Sequence, residues 1–433
     1  MNVAIVGGGW AGLAAAVELA AAGVGVTVFE SARQIGGRAR SVRVGGEILD
    51  NGQHILSGAY RETLRLIAVV GVEVERVVRR LPLELRFASG GRTSFQLRLP
   101  RLRPPLDLAA GLCLARGATL SGKFAAIRLM RFLAGRDYRL DEDLPLGELL
   151  DRLGQHGALR DCLWEPLCLA ALNTAPGQAS AQVFARVVAD TLGGGAGATD
   201  LLLPAADLDR LFPEAAGRFI GAHRGEIRLG HRVEAIDPGP SVHGERFSGV
   251  VIAVGAQHAP ALLARHAATQ RLASLLAGYR FEPIATVYCG YPPGLRLPLP
   301  MLGLDPRTPG RIGQWAFDRG ALCGTPGVIA FVLSAHGAWE ELDNDRLART
   351  LHRELADALG APLPAPLWQR VIREQRATFA CRPGLPRPSP DTGLPGVWLA
   401  GDYVCAEYPA TLEAAVRSGV AAARAVLADR PAR

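Results

Sequence analysis

Four runs of residues, far apart in the chain, have the types and spacing that chemistry needs. The first is Gly7-Gly8-Gly9-Trp10-Ala11-Gly12, with Glu30 beyond it. Gly7 permits a tight turn, Gly9 lets the backbone approach a pyrophosphate, and Gly12 lets a following helix pack closely on the preceding strand. The turn, Trp10 and Ala11 included, leads into a helix whose free N–H groups present a positive dipole end to phosphates. Glu30 can accept both hydroxyls of an adenosine ribose. A carboxylate there disfavours a 2′-phosphate, so the nucleotide expected is FAD or NAD rather than NADP.

The second run, Ile35-Gly36-Gly37-Arg38, brings more backbone to the pyrophosphate, and Arg38 adds a charge-assisted contact. The third, Asp50-Asn51-Gly52-Gln53-His54, closes a strand-like stretch at 42–49. The fourth is Gly401-Asp402, where the aspartate can meet ribityl hydroxyls, followed by Pro409-Ala410-Thr411-Leu412-Glu413 at the start of a helix. That helix end suits the N1 and O2 edge of a flavin, which separates FAD from NAD.

The elements that must position these groups are legible as apolar runs. Strands are expected at 3–6 and 26–30 around a helix at 13–22 closed by Gly23, and again at 228–236, 247–254 and 397–402. A small-residue helix is expected at 414–427. The fold class expected is α/β, with an α+β substrate part. A Rossmann-like FAD-binding domain (1–60, 206–258, 391–433) would be interrupted by a substrate domain of sheet plus helical cap (61–205, 259–390). Proline-rich stretches at 291–309, 361–366 and 382–396 read as loops, and the glycines at 193–197 follow a helix and so make a connection, not a phosphate loop.

With 433 residues, 49% hydrophobic, the chain is long enough for two domains. The net charge of +7 includes a single lysine, Lys123, and no basic block that would demand nucleic acid. Seven scattered cysteines without a CxxC argue against disulfides and zinc, and nine histidines form no paired metal spacing. No basic leader or spanning segment stands out, so the expectation is a cytoplasmic protein, or one lying on the cytoplasmic membrane face.

The dinucleotide turn, the Gly-Gly-Arg element and the Gly-Asp helix together resemble the flavin amine oxidase and phytoene desaturase superfamily. Within it, Trp164-Glu165-Pro166-Leu167, Ala170-Ala171-Leu172-Asn173-Thr174 and Ala179-Ser180-Ala181 resemble the hydroxysqualene dehydroxylases of hopanoid biosynthesis. The resemblance implies FAD as cofactor and a long isoprenoid alcohol, hydroxysqualene, as substrate, reduced to squalene by hydride from reduced flavin. A transient electron donor is then needed. It also implies that Val233 sets its backbone against the adenine and that His54 lies near the isoalloxazine ring.

His54 and Glu165 are the candidate catalytic residues, Glu165 as an acid in an apolar pocket. His54 reads equally as a structural hydrogen-bonding group, and Glu165 as a helix-end or surface charge. Asn173-Thr174 can simply satisfy backbone groups at a helix end. Cys405 reads as a small apolar residue or as a thioether attachment to flavin. Residues 106–133, apolar with interleaved cations, read equally as a membrane-facing segment or as an ordinary cap helix, since Arg131 shares a helical face with Leu120 and Phe124. Alternatives for the whole chain are a carotenoid or phytoene-type desaturase, an amine oxidase, and a non-catalytic prenyl carrier. An amine oxidase is disfavoured because the only lysine lies far from the nucleotide motifs.

Overall fold

The computed structural model describes residues 1–237 and 239–429, so position 238 and the last four positions of the expected nucleotide domain lie outside it. Short strands made almost wholly of apolar residues suit a parallel sheet covered on both faces. Such a sheet forms here from five parallel strands in the order Glu226–Leu229, Gly25–Glu30, Asn2–Val6, Gly249–Ile252 and Val397–Leu399. On it lie two alanine-rich helices, Trp10–Ala21 and Leu412–Ala428. Their small residues let them touch: a Cβ built on Gly419 would sit 2.2 Å from the Ala11 carbonyl oxygen.

The second sheet has seven strands, ordered Trp368–Phe379, Phe281–Gly290, Val328–Ser334, Trp315–Asp318, Met301–Leu304, Glu84–Ser89 and Arg92–Arg98. Its two faces divide by the period of two. Ala285, Val287, Phe331 and Leu333 point to one side, where they join Leu347, Leu351 and Leu355 of the Asn344–Leu359 helix in a common core. Ile284, Thr286, Val332 and Ser334 point to the other side and line a cavity. Helices Leu120–Ala134, Leu146–Arg152, Glu165–Leu172 and Ala181–Asp190 contribute to a larger apolar core beyond it.

Several expected elements differ. The stretch 42–49 is a hairpin, Ser41–Val44 with Glu47–Asp50, because Gly45 and Gly46 (φ +58° and +91°) form its two-residue turn. The strand expected at 228–236 stops at Leu229, where Gly230 takes φ +74°. The proline-rich stretch 291–309 contains the buried strand Met301–Leu304, which begins directly after Pro300. Residues 106–133 are two helices, Leu106–Leu114 and Leu120–Ala134, the second capped by the Thr119 hydroxyl accepting from Gly122 N at 3.1 Å. The helix Arg61–Val69, assigned from sequence to the substrate part, packs with the nucleotide layer instead. Buried Glu413 accepts from the N–H groups of Glu62 and Thr63, and Leu66 and Ile67 share the apolar core of the Trp10–Ala21 helix.

Candidate active site

The glycine turn is built by close approach. A Cβ on Gly12 would lie 1.9 Å from the Gly7 carbonyl oxygen, so only glycine lets the helix begin this near the strand. Gly7 itself has φ +111°. The Gly36-Gly37 element lies alongside: Gly36 N donates to Gly8 O at 2.8 Å, and Gly9 bridges Gly36. Gly9 and Gly37 both line one cavity of about 940 Å³, together with Trp10, Ala11, Glu30, Arg38 and Val233. A Cβ on Gly9 would meet nothing closer than Gly37 Cα at 3.8 Å, so the glycines leave open room of the kind a pyrophosphate needs. Gly12 stands behind this wall and does not line it.

Glu30 is buried at the end of its strand, where Gly8 N donates to Oε2 and Ala32 N donates to Oε1, each at 2.7 Å. The carboxylate thus fixes both sides of the turn, and a carboxylate has further lone pairs for hydroxyls. Arg38 Nη2 donates to Asp402 Oδ2 at 2.8 Å, joining the second and fourth runs across the cleft. Asp402 beside it raises the Arg38 pKa, so this arginine stays charged. Gly401, Asp402, Ala410, Thr411 and Leu412 line the same cavity, and the Thr411 hydroxyl caps the Leu412–Ala428 helix by accepting from Ala414 N at 3.2 Å.

The other half of the cavity rests on the seven-stranded sheet. Register aligns Ile372, Thr286, Val332 and Trp315 in one row across four strands, and all four line the cavity. Thr286 is the polar member of that row. Its buried hydroxyl has no hydrogen-bond partner among the described residues, which costs about 1–3 kcal/mol unless a ligand supplies one. Gly52 stands between it and His54: a Cβ on Gly52 would be 3.8 Å from Thr286 Oγ1 and 3.5 Å from His54 Cε1. His54 Nδ1 lies 3.0 Å from Gly52 O; a carbonyl only accepts, so Nδ1–H donates and Nε2 keeps its lone pair. Burial lowers the His54 pKa, which favours this neutral imidazole.

The glycine-lined cleft thus continues into an apolar chamber. The sequence pattern of the flavin containing amine oxidoreductases matches residues 10–427. The chain belongs to that family. It is 30% identical to a hydroxysqualene dehydroxylase of Rhodopseudomonas palustris over 99% of this chain and 98% of that one. A hydroxysqualene dehydroxylase of Sinorhizobium fredii is 28% identical over 99% of both. Among solved structures, cyclohexylamine oxidase of Brevibacterium oxydans superposes with a TM-score of 0.69 at 18% identity, covering 99% of each chain. The protein is therefore a flavin-dependent oxidoreductase.

Within this flavoenzyme one expectation fails. Glu165 does not line the cavity; Arg160 Nε donates to it at 2.7 Å on the outer side, so it is a paired surface charge and not an acid in an apolar pocket. Its neighbours Leu163, Pro166 and Leu167 turn inward instead. Cys405 is absent from the lining, which leaves the reading of it as a small apolar residue rather than a thioether attachment. Asn173 adopts a left-handed conformation at the end of the Glu165–Leu172 helix. Its side chain donates to Thr378 Oγ1 at 3.0 Å and accepts from Ala335 N at 2.7 Å, clamping helix to sheet.

Thr286 escaped sequence reading. One threonine in the long apolar strand Phe281–Gly290 has no local signal of function; only the cross-strand register reveals its isolation.

Replacing Glu30 by alanine should weaken flavin retention about ten- to a hundredfold, given roughly 1.5–3 kcal/mol for hydrogen bonds to charged groups. Flavin absorbance after exhaustive dialysis measures this. Undiminished occupancy would remove Glu30 from the cradle.

Proposed function

We propose that this flavoenzyme holds FAD along the cleft and removes the hydroxyl of an allylic C30 alcohol, hydroxysqualene, leaving squalene. The observation that carries the reading is the unpartnered Thr286 hydroxyl in an otherwise apolar row beside neutral His54. A polyene awaiting desaturation brings nothing for that hydroxyl to bond, whereas an alcohol does. Full-length similarity to two chains named hydroxysqualene dehydroxylase supports the same substrate class.

In the balanced reaction the carbon–oxygen bond breaks, the oxygen leaves as water after taking up a proton, and a hydride forms the new carbon–hydrogen bond. Bound in its reduced form, FAD supplies that hydride, and a transient two-electron donor must reduce it again. The residues of the chain hold and shield. Thr286 Oγ1 and the His54 Nε2 lone pair bind the carbinol and orient it. Ile284, Ile372, Val332 and Trp315 keep bulk water from the allylic carbon as the hydroxyl departs. Val233, Glu30 and the glycine elements 7–9 and 36–37 hold the dinucleotide end, Arg38 and Asp402 the middle, and residues 410–412 the flavin edge. Oxidation of amines is disfavoured because Lys123 lies outside the cavity, its Nζ donating to Cys113 O at 2.7 Å. No helix among the described residues is long and apolar enough to cross a membrane. A substrate this insoluble is best collected at a bilayer surface, from its cytoplasmic side.

Anaerobically reduced protein mixed with hydroxysqualene in detergent should yield one squalene per flavin. Thr286→Val should slow that single turnover about tenfold or more, the loss of one buried hydrogen bond. Oxidised protein that adds double bonds to phytoene or squalene and ignores hydroxysqualene would establish a desaturase instead. A colourless protein that takes up no FAD would establish a carrier.

A further inference from the structure

Five of the ten most exposed large apolar side chains lie within residues 102–124: Leu102, Leu106, Leu114, Leu120 and Phe124. Leu114, Leu120 and Phe124 are 73%, 74% and 70% exposed. Lys123 Nζ donates to Cys113 O at 2.7 Å, which ties the end of the Leu106–Leu114 helix to the start of Leu120–Ala134 and gathers these three side chains at one corner.

The charge around them is one-sided. Residues 101–136 hold seven cations (Arg101, Arg103, Arg116, Lys123, Arg128, Arg131, Arg136) and one acid, the buried Asp107, in a chain whose total is +7. None of the seven forms an ion pair with any described residue. Outside residues 101–136 the chain holds 41 cations and 40 acids, so this segment carries nearly the whole net charge of the protein. The exposed apolar and basic residues also follow one another along the second helix: Leu120 and Phe124 lie within its first five residues, and Arg128 and Arg131 follow Phe124 by about 6 and about 10 Å at 1.5 Å per residue. Arg131 therefore lies beyond the apolar tip along the helix and does not interrupt it. The same helix reaches the cavity wall through one side chain. Gln155 Nε2 donates to Ala125 O at 2.7 Å, and Trp164 Nε1 donates to Gln155 Oε1 at 3.0 Å, next to cavity-lining Leu163.

We infer that the corner formed by Leu114, Leu120 and Phe124 inserts into an anionic bilayer, with the surrounding arginines on its headgroups. Charge complementarity selects this occupant: a bare apolar patch suits any hydrophobic partner, but one ringed by unpaired cations suits a surface of lipid phosphates. The inference deepens the substrate reading, because the segment that enters lipid is bonded to the wall of the substrate chamber.

Flotation of the flavin-loaded full chain with vesicles tests it. The protein should rise with phosphatidylcholine vesicles containing phosphatidylglycerol, much less with phosphatidylcholine alone, and less again at high salt. The combined substitution Leu114→Gln, Leu120→Gln and Phe124→Gln should lower vesicle binding about tenfold or more while flavin absorbance and melting stay as in the parent. Leu367→Gln, equally exposed elsewhere, should change nothing. Parent protein that ignores anionic vesicles, or a triple variant that binds them undiminished, overturns the inference. So does a lipid-free dimer, seen by light scattering, that the triple variant dissolves, since the corner would then belong to a second copy. Turnover of hydroxysqualene in detergent needs no vesicle, so failure here and failure of the substrate reading are separately visible.

Discussion

The variant Gly12→Val should neither fold stably nor keep flavin, whereas Gly9→Ala should fold like the parent and still lose flavin affinity. The two glycines are three positions apart and do opposite jobs. At Gly12 an added Cβ would stand 1.9 Å from the Gly7 carbonyl oxygen and 3.2 Å from Ala253 Cβ. Backbone cannot yield there, so the Trp10–Ala21 helix would have to lift off its sheet. Its other side offers no room, because Gly419 brings the Leu412–Ala428 helix onto Ala11 and Ala14. Overpacking between two fixed layers costs about 3 kcal/mol or more. At Gly9 the added Cβ meets only Gly37 Cα at 3.8 Å, so the protein tolerates it, but the methyl stands in the cradle. Circular-dichroism melting together with flavin absorbance after desalting separates the two outcomes. A Gly12→Val protein that melts with the parent would show that the helix does not need this close approach, and a Gly9→Ala protein with full flavin would show that the turn holds no phosphate.

That contrast also marks what the sequence makes legible. Gly7, Gly9, Gly12 and Glu30 are spaced by local geometry, so strand, turn, helix and terminal acid can be read in order. Asp402 and Arg38 are far apart in sequence, yet each belongs to a recognisable local run, and their 2.8 Å ion pair joins two motifs already visible. Thr286 is different. Its meaning depends on Ile372 and Val332 standing beside it, and those pairings come from register across strands distant in sequence. Glu165 misled for a related reason. Carboxylate, tryptophan and proline in sequence suggested an apolar pocket, but a helix turns adjacent residues in different directions, and Glu165 points to Arg160 while Pro166 faces the cavity. Residues 106–133 are ambiguous in sequence because Arg131 shares a helical face with Leu120 and Phe124. The break before Thr119 restarts the helix and puts Leu114 and Leu120 at one corner.

Arg319→Met should destabilise the protein by about 3–5 kcal/mol, the usual cost of removing one partner of a buried ion pair. Arg319 Nη1 donates to Asp50 Oδ2 at 3.0 Å, with 3% and 1% of the two side chains exposed, and to Gln53 Oε1 at 3.1 Å. Asp50 also accepts from Ser41 Oγ at 3.2 Å and Leu208 N at 2.9 Å, while its own carbonyl accepts from Tyr288 OH at 2.9 Å. This cluster pins the turn 51–54, and with it His54, between the hairpin and the seven-stranded sheet. Without the guanidinium the Asp50 carboxylate remains buried with two neutral partners, and Gln53 loses its donor. Asp50→Asn added to Arg319→Met removes the stranded charge, so the double variant should be more stable than Arg319→Met alone. Urea unfolding of parent, both singles and the double gives the coupling directly. The rate of alcohol turnover should fall in Arg319→Met beyond what flavin loss explains, because the carbinol site moves with the turn. A single variant within about 1 kcal/mol of the parent would mean the pair does not hold the turn, the range expected of an exposed ion pair.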